Sequence, residues 1–327
     1  MDAILSTPHA QDPHPVTARE LHEAIFTPEP WKSPGPDGIP YACLRHCEDI
    51  LAPYLLPLFT ASLRLAHIPA AWKRTRVVAV PKPDKDHTSP KGYRPISLNS
   101  CISKVLERIV LERLTYFLEK GLLLPRSQYG FRKGRSTELA LWRFVTAATK
   151  ALQARHATVL LSLDIQSAYD RVWHKGLIRK LATLGVPPTM LAWLLAFLSS
   201  RQARVHIGGA VCARLLALGV PQGSPLSPIL FLVFVGDLLS RLQQVVGTGT
   251  AGFADDLNVW WRISRLHPGD ATSIGVSSVV ESWGTEWQQT FNPDKCKVLV
   301  ISHSIAPTPV VSLSGVQLEC QPYLRCL

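Results

Sequence analysis

The chain has 327 residues, 46% hydrophobic, 18% charged and 8% aromatic, which excludes a disordered tail and leaves material for one large lobed domain or two ordinary ones. Lys and Arg number 35 against 24 Asp and Glu, and the formal net charge of +11 suits a polyanionic partner. No apolar run reaches the roughly 18 residues of a membrane span, and the N-terminus lacks the basic start and apolar stretch of a signal peptide. The seven Cys are scattered without zinc-finger spacing and read as reduced thiols in the cytosol or nucleus.

In chain order, residues 1–27 are polar with three Pro among them and read as a flexible arm, and Pro28–Pro40 as a loop punctuated by Pro and Gly. Helical periodicity covers Tyr41–Ala66, interrupted by Pro53 and Pro57, and Ile102–Glu119. Between them Arg76–Val80 is a short β-branched strand, followed by an exposed lysine-rich loop and a second short strand. Thr158–Leu163 is apolar throughout and too short for a helix, so it predicts a buried strand ending at Asp164. Helices follow at Gly176–Leu184 and Pro188–Ser199, then two strands, Ala203–Ile207 and Arg214–Leu218, flanking Gly208-Gly209. Ser224 or Ser227 caps a helix through Leu239, with Pro228 at its first position. A strand–turn–strand surrounds Asp255-Asp256, and a helix over Gly275–Gln289 and a strand over Lys297–Ser302 come last. Strands and helices mix without strict alternation, which favours α+β over a doubly wound sheet.

The chemistry concentrates on carboxylates. Asp255-Asp256 sits at the tip of an apolar hairpin; acidic turns are commonly only solvated, but Asp164 ends an apolar strand, where an unpaired carboxylate is expensive. Carboxylates meeting at one sheet edge can hold two Mg2+ ions and serve phosphoryl or nucleotidyl transfer, and hard oxygen donors without a His/Cys set argue against zinc. Because successive strand side chains alternate in direction, Asp255 is expected as the direct ligand and Asp256 as a partial one.

These residues carry a resemblance. SLDIQSAYD (162–170), LGVPQGSPLSPILF (218–231) and GFADDLNVW (252–260) resemble three core motifs of reverse transcriptases, in order and spacing. WKSPGPDGIP (31–40), VVAVPKPDKD with GYRPISLNSCISKVLERIVLERL (77–114), and QYGFRKGRST (128–137) resemble blocks of the non-LTR (LINE-type) retrotransposon enzymes; NPDKCKVLVIS (292–302) is similar to their later lysine-bearing motif. The similarity runs from about residue 30 to the end of the chain. It implies a right-handed polymerase fold: an N-terminal extension and fingers over 28–155 and a palm over 156–327. The palm would hold a ferredoxin-like antiparallel sheet and a fingers insertion at about 176–218.

The resemblance further implies RNA-directed DNA polymerase activity, with RNA template, DNA primer and deoxynucleoside triphosphates as partners, no membrane, and a nuclear site of action. Two Mg2+ ions, with Mn2+ as a substitute, would be held by Asp164, Asp255 and Asp256. Tyr169 would exclude a 2′-hydroxyl, Lys82 and Arg94 in the basic loop would reach the triphosphate, Gln222 and Gly223 would line the nucleotide pocket, and Lys295 would act as general acid. Arg132, Lys133 and Arg135, beside Phe131, would track a nucleic-acid backbone. Two departures stand out. Cys296 occupies the position after the late lysine where the family usually has Thr, and VSLSGVQLECQPYLRCL (311–327) resembles only the start of the primer-gripping hairpin. The thumb and the endonuclease of a full-length element are therefore expected to be absent. A group II intron-type enzyme and a truncated, non-catalytic nucleic-acid-binding remnant remain as alternatives.

Overall fold

The computed structural model describes residues 13–83, 86–207, 210–264, 270–303 and 309–321. Thr17 opens the first helix, α1 (Ala18–Phe26): its hydroxyl accepts from the Glu20 amide while the Glu20 carboxylate takes the Thr17 N–H, a reciprocal cap. Leu21 and Ile25 are fully buried, so the flexible arm expected over 1–27 is corrected to a packed helix from residue 18; residues 1–12 lie outside the described residues. Next come α2 (Tyr41–His46) and α3 (Glu48–Leu65). Pro53 and Pro57 lie inside α3 without ending it, because the buried stripe Leu55, Phe59 and Leu63 holds the helix across two missing N–H donors.

The remaining elements are β1 (Arg74–Pro81), β2 (Tyr93–Leu98), α4 (Cys101–Lys120), α5 (Thr137–Gln153), β3 (Ala157–Leu163), α6 (His174–Thr183), α7 (Pro188–Leu198), β4 (Arg201–Ile207), β5 (Ala210–Leu216), α8 (Ser227–Gln244), β6 (Thr248–Phe253), β7 (Asp256–Ile263), α9 (Asp270–Trp287), β8 (Lys297–Ile301), β9 (Ser312–Leu313) and β10 (Val316–Gln317). The sequence reading lacked α5, which Ser136 caps by accepting from the Leu139 amide. The Gly208-Gly209 turn lies outside the described residues. Among the described residues no helix is long and apolar enough to cross a membrane.

The chain divides into two compact units, one from the segment ending at Gly121 together with Val172–Leu230, the other from Leu122–Arg171 together with the segment starting at Phe231; the division falls inside α8. In the first unit a mixed sheet runs in the order β2-β1-β4-β5, antiparallel except for the parallel β1–β4 pair. Its helical part is tied by Arg113 of α4, whose guanidinium donates to both Glu20 carboxylate oxygens at 2.7 and 2.9 Å and to the carbonyls of His14 and Pro15.

In the second unit an antiparallel sheet runs β6-β7-β3-β8. The apolar β3 is an inner strand, buried at every residue but Ser162, as its composition demands. Helix α5 covers this sheet through Phe144, whose ring meets Trp260 edge-on at 5.5 Å beside Leu160 and Ala251. Among the described residues the mix of helices with one mixed sheet and two antiparallel ones, the second being the two-stranded β9–β10 pair, agrees with the α+β expectation.

Candidate active site

The register of β3 against β7 decides where the carboxylates stand. Leu163 pairs with Leu257, so in this antiparallel ladder the next positions, Asp164 and Asp256, face each other across the end of the sheet. Phe253 pairs with Asp256, leaving Ala254 and Asp255 as the two residues of a tight hairpin turn. Ala254 has φ 58°, a left-handed value that a turn of this kind ordinarily gives to glycine.

Three carboxylates therefore share one sheet end. Asp255 keeps an exposed side, but partial desolvation at the sheet end raises its carboxyl pKa from the ordinary value and the negative charge of Asp164 adds to it, against an opposing pull from Lys295. Asp256 is pushed up in the same way, by burial first and then by Asp255 and Asp164. The Lys295 ammonium is 3.5 Å from both oxygens of Asp164. The loop carrying Lys295 is laced to the strand end: the Asn292 amide donates to the Asp164 carbonyl at 2.9 Å and the Gln166 amide to the Thr290 carbonyl at 2.9 Å. Cys296 is buried below, its Sγ accepting from the Asp164 amide at 3.4 Å. A position that the sequence marks only as a departure is thus in contact with the central aspartate.

Tyr169 is half-buried and stacks on Phe231 of α8 with ring centroids 4.6 Å apart and planes 23° from parallel. Burial and the nearby charge of Asp255 raise its phenol pKa, so the ring stays neutral at physiological pH. Asp164, Tyr169, Asp255, Asp256 and Lys295 are brought together in the second unit.

The other expected nucleotide contacts belong to the first unit. Arg94 lies in β2, opposite Val80, rather than in the basic loop where the sequence reading put it, and it is exposed. Lys82 follows directly after β1, its amide donating to the Gly92 carbonyl at 2.8 Å, so the alternation of the ladder puts Lys82 and Arg94 on one face. The 221–224 loop is strapped to the same hairpin by the Ser97 amide, which donates to the Gln222 carbonyl at 2.7 Å. Gly223 has φ 119°, and a Cβ there would stand 2.5 Å from the Ser97 carbonyl oxygen, so close approach demands glycine. Ser224 donates at 2.5 Å to Glu107, a fully buried carboxylate that also accepts from Ser103 at 2.7 Å. Glu107 was not singled out in the sequence because a charged residue in a helical pattern ordinarily faces solvent.

The cationic trio divides. Lys133 is exposed, but Arg132 is buried, its guanidinium donating to the Pro125 and Gln128 carbonyls at 2.7 and 3.2 Å. Arg135 reaches the Arg126 carbonyl and lies 5.3 Å from the centre of the Tyr129 ring. For Arg132 the expected backbone-tracking role is corrected: its guanidinium is taken up by two carbonyls of its own turn, that of Pro125 also accepting from the Gln128 amide at 3.1 Å.

The sequence pattern of the reverse transcriptase (RNA-dependent DNA polymerase) family matches residues 80–318, which hold every residue of both clusters. The chain belongs to this family. Its relatives include the RNA-directed DNA polymerase from the mobile element jockey of Drosophila funebris, 30% identical over 92% of this chain and 33% of that protein. The probable RNA-directed DNA polymerase from transposon BS of Drosophila melanogaster is 31% identical over 93% of this chain and 34% of its own length. The Pol polyprotein of the type-1 retrotransposable element R2 of Popillia japonica is 30% identical over 74% and 34%. The chain spans about a third of the length of the curated relatives it matches. They are proteins of non-LTR retrotransposons, as the residue blocks implied.

Reverse transcriptases generally use divalent metal ions. Among the described residues no three His, Cys, Asp or Glu side chains converge tightly enough to cage an ion as they stand. The donor chemistry nevertheless fits a hard dication: three carboxylates offer only oxygen, and the desolvation and mutual repulsion that raise the Asp255 and Asp256 pKa values are what such an ion offsets.

Proposed function

We propose that the chain is the RNA-directed DNA polymerase of a non-LTR retrotransposon, adding deoxynucleotides to a primer 3′-hydroxyl. The observation that carries this reading is the gathering at one sheet end of Asp164, just past β3, and Asp255 and Asp256, at the turn from β6 to β7, where their charges act on one another. Asp164, Asp255 and Asp256 would hold two Mg2+ ions, which would supply acidity to the attacking hydroxyl and countercharge to the pyrophosphate. The hydroxyl loses its proton to solvent as its oxygen forms a bond to the α-phosphorus, the bond to the bridging oxygen breaks, and Lys295 gives a proton to the departing pyrophosphate and regains one from solvent.

Lys82 and Arg94 bind triphosphate oxygens, Arg94 bidentately and Lys82 as a mobile charge. Gln222 and Gly223 line the nucleotide pocket. The Tyr169 ring fills the space a ribose 2′-hydroxyl would need, and its stacking on Phe231 keeps it from swinging aside. In this reading the second unit contains the palm and its sheet, the first contains the fingers, and the protein acts in the nucleus. The finer boundaries at 28–155 and 156–327, with an insertion at about 176–218, belong to the same proposal.

The reading is tested by extending a DNA primer on an RNA template with one deoxynucleotide supplied at a time. Incorporation that follows the template base supports it. Incorporation regardless of template would make the chain a terminal transferase, and none on any template would overturn the assignment.

A further inference from the structure

Gln128 opens the block 128–137 but carries none of the roles assigned above. Its side chain has no exposed surface. Its backbone runs beside β6: the Gly252 amide donates to the Ser127 carbonyl at 2.8 Å and the Tyr129 amide to the Gly252 carbonyl at 2.7 Å, forming a short parallel bridge. The side chain then reaches past the end of the strand. Its Oε1 accepts from the amides of Gly130 at 2.9 Å and Ala254 at 3.1 Å, and its Nε2 lies 3.4 Å from the Ala254 carbonyl. One carboxamide thus engages both backbone polar groups of Ala254, the residue immediately before Asp255.

Ala254 needs that support. Its φ of 58° disfavours any residue with a Cβ, and it heads a two-residue turn, so a left-handed alanine persists there only if its surroundings over-determine it. Gly130 completes the clamp: a Cβ on it would collide with the Ala254 amide nitrogen, so only glycine lets the two backbones meet. A buried amide that replaces three hydrogen bonds otherwise made to water is an unusual investment for a turn that had only to reverse the chain.

We infer that Gln128 is a positioning residue for nucleotidyl transfer: its carboxamide fixes the backbone at Ala254 so that the Asp255 carboxylate is presented beside Asp164. This rests on the polymerase reading for its consequence in catalysis, but the clamp itself has a signature independent of activity.

The experiment compares the unsubstituted chain with Gln128→Met, which keeps length and bulk but makes none of the three bonds, and with the double variant Gln128→Met, Ala254→Gly. Amide hydrogen exchange reads the clamp. The Ala254 amide is expected to be protected in the unsubstituted chain and to exchange at least tenfold faster in Gln128→Met, while amides of β3 stay protected. Primer extension reads the consequence. Gln128→Met is expected to lower kcat by about 10²-fold and raise the Mg2+ concentration for half-maximal rate, leaving the KM for the deoxynucleotide nearly unchanged. Ala254→Gly, which adopts the left-handed turn without strain, should restore part of that loss. Unchanged exchange at Ala254, or a folded Gln128→Met chain with ordinary kcat and Mg2+ requirement, overturns the proposal. If the unsubstituted chain does not extend primers at all, the polymerase reading fails, while the exchange result still decides whether Gln128 holds the turn.

Discussion

At the scale of single residues, the aspartates were legible in the sequence because each broke an apolar context: Asp164 ends an apolar run, and Asp255-Asp256 interrupts a second. Gln128 was not legible, since its partner Ala254 is 126 positions away and hydrogen-bonds through its backbone, leaving no pattern of side-chain types to read. The raised pKa of Asp255 sets a pH dependence with a definite sign. A carboxyl raised in the fold is favoured there as the protonated form, so its contribution to stability is full below the ordinary value near 4 and is lost as pH rises through the raised value. At pH 7 in a chelator the ionised carboxylate therefore costs stability, and Asp255→Asn should raise the melting temperature. The gain is small, on the order of 1 °C, because Asp255 reaches solvent and its repulsions are screened. Differential scanning at pH 7 and pH 3 checks this: the gain should vanish at pH 3, and a variant that melts below the unsubstituted chain at pH 7 would contradict it. For Tyr169, replacement by Val should leave deoxynucleotide addition within a few-fold and raise ribonucleotide incorporation by at least about tenfold, measured as the ratio of kcat/KM values. Phe231→Leu, which removes the stacked ring, should move that ratio in the same direction by less.

At the scale of elements, strands with continuous apolar character and helices with clear periodicity could be read directly, as β3 and α4 show. Helix α5 could not, because Leu139, Leu141, Trp142 and Val145 leave large apolar side chains exposed and blur its amphipathic stripe. Helix α1 did carry a signal, the Thr17-x-x-Glu20 capping box, which the prolines around it masked. The same distinction between local pattern and distant partner separates the cations of residues 132–135. Arg132→Ala should cost about 1–2 kcal/mol, because it removes the guanidinium from the Gln128 carbonyl and leaves the Pro125 carbonyl with the Gln128 amide alone, and chemical denaturation measures that loss. Lys133→Ala should leave stability within about 0.5 kcal/mol. It should instead weaken binding to an RNA–DNA hybrid uniformly across sequences and reduce the salt slope by about one. Normal melting of Arg132→Ala would contradict the structural role, and normal hybrid binding by Lys133→Ala would contradict the contact role.

At the scale of the molecule, composition pointed to a polyanionic partner and the ordered motif blocks to the family; the division into two units, with the second begun at Leu122 and resumed at Phe231, came only from the folded chain. The net charge of +11 predicts a hybrid binding constant whose logarithm falls linearly and steeply with the logarithm of salt concentration. That binding should survive Asp255→Asn, since anionic side chains do not hold phosphates. The measurement closest to the central claim is single-nucleotide extension of a DNA primer on an RNA template in Mg2+, comparing the chain with Asp164→Asn, Asp255→Asn and Asp256→Asn at matched primer–template occupancy. The account predicts losses of about 10³-fold or more for Asp164→Asn and Asp255→Asn, and a smaller loss for Asp256→Asn. Extension at the unsubstituted rate by either of the first two variants would contradict it.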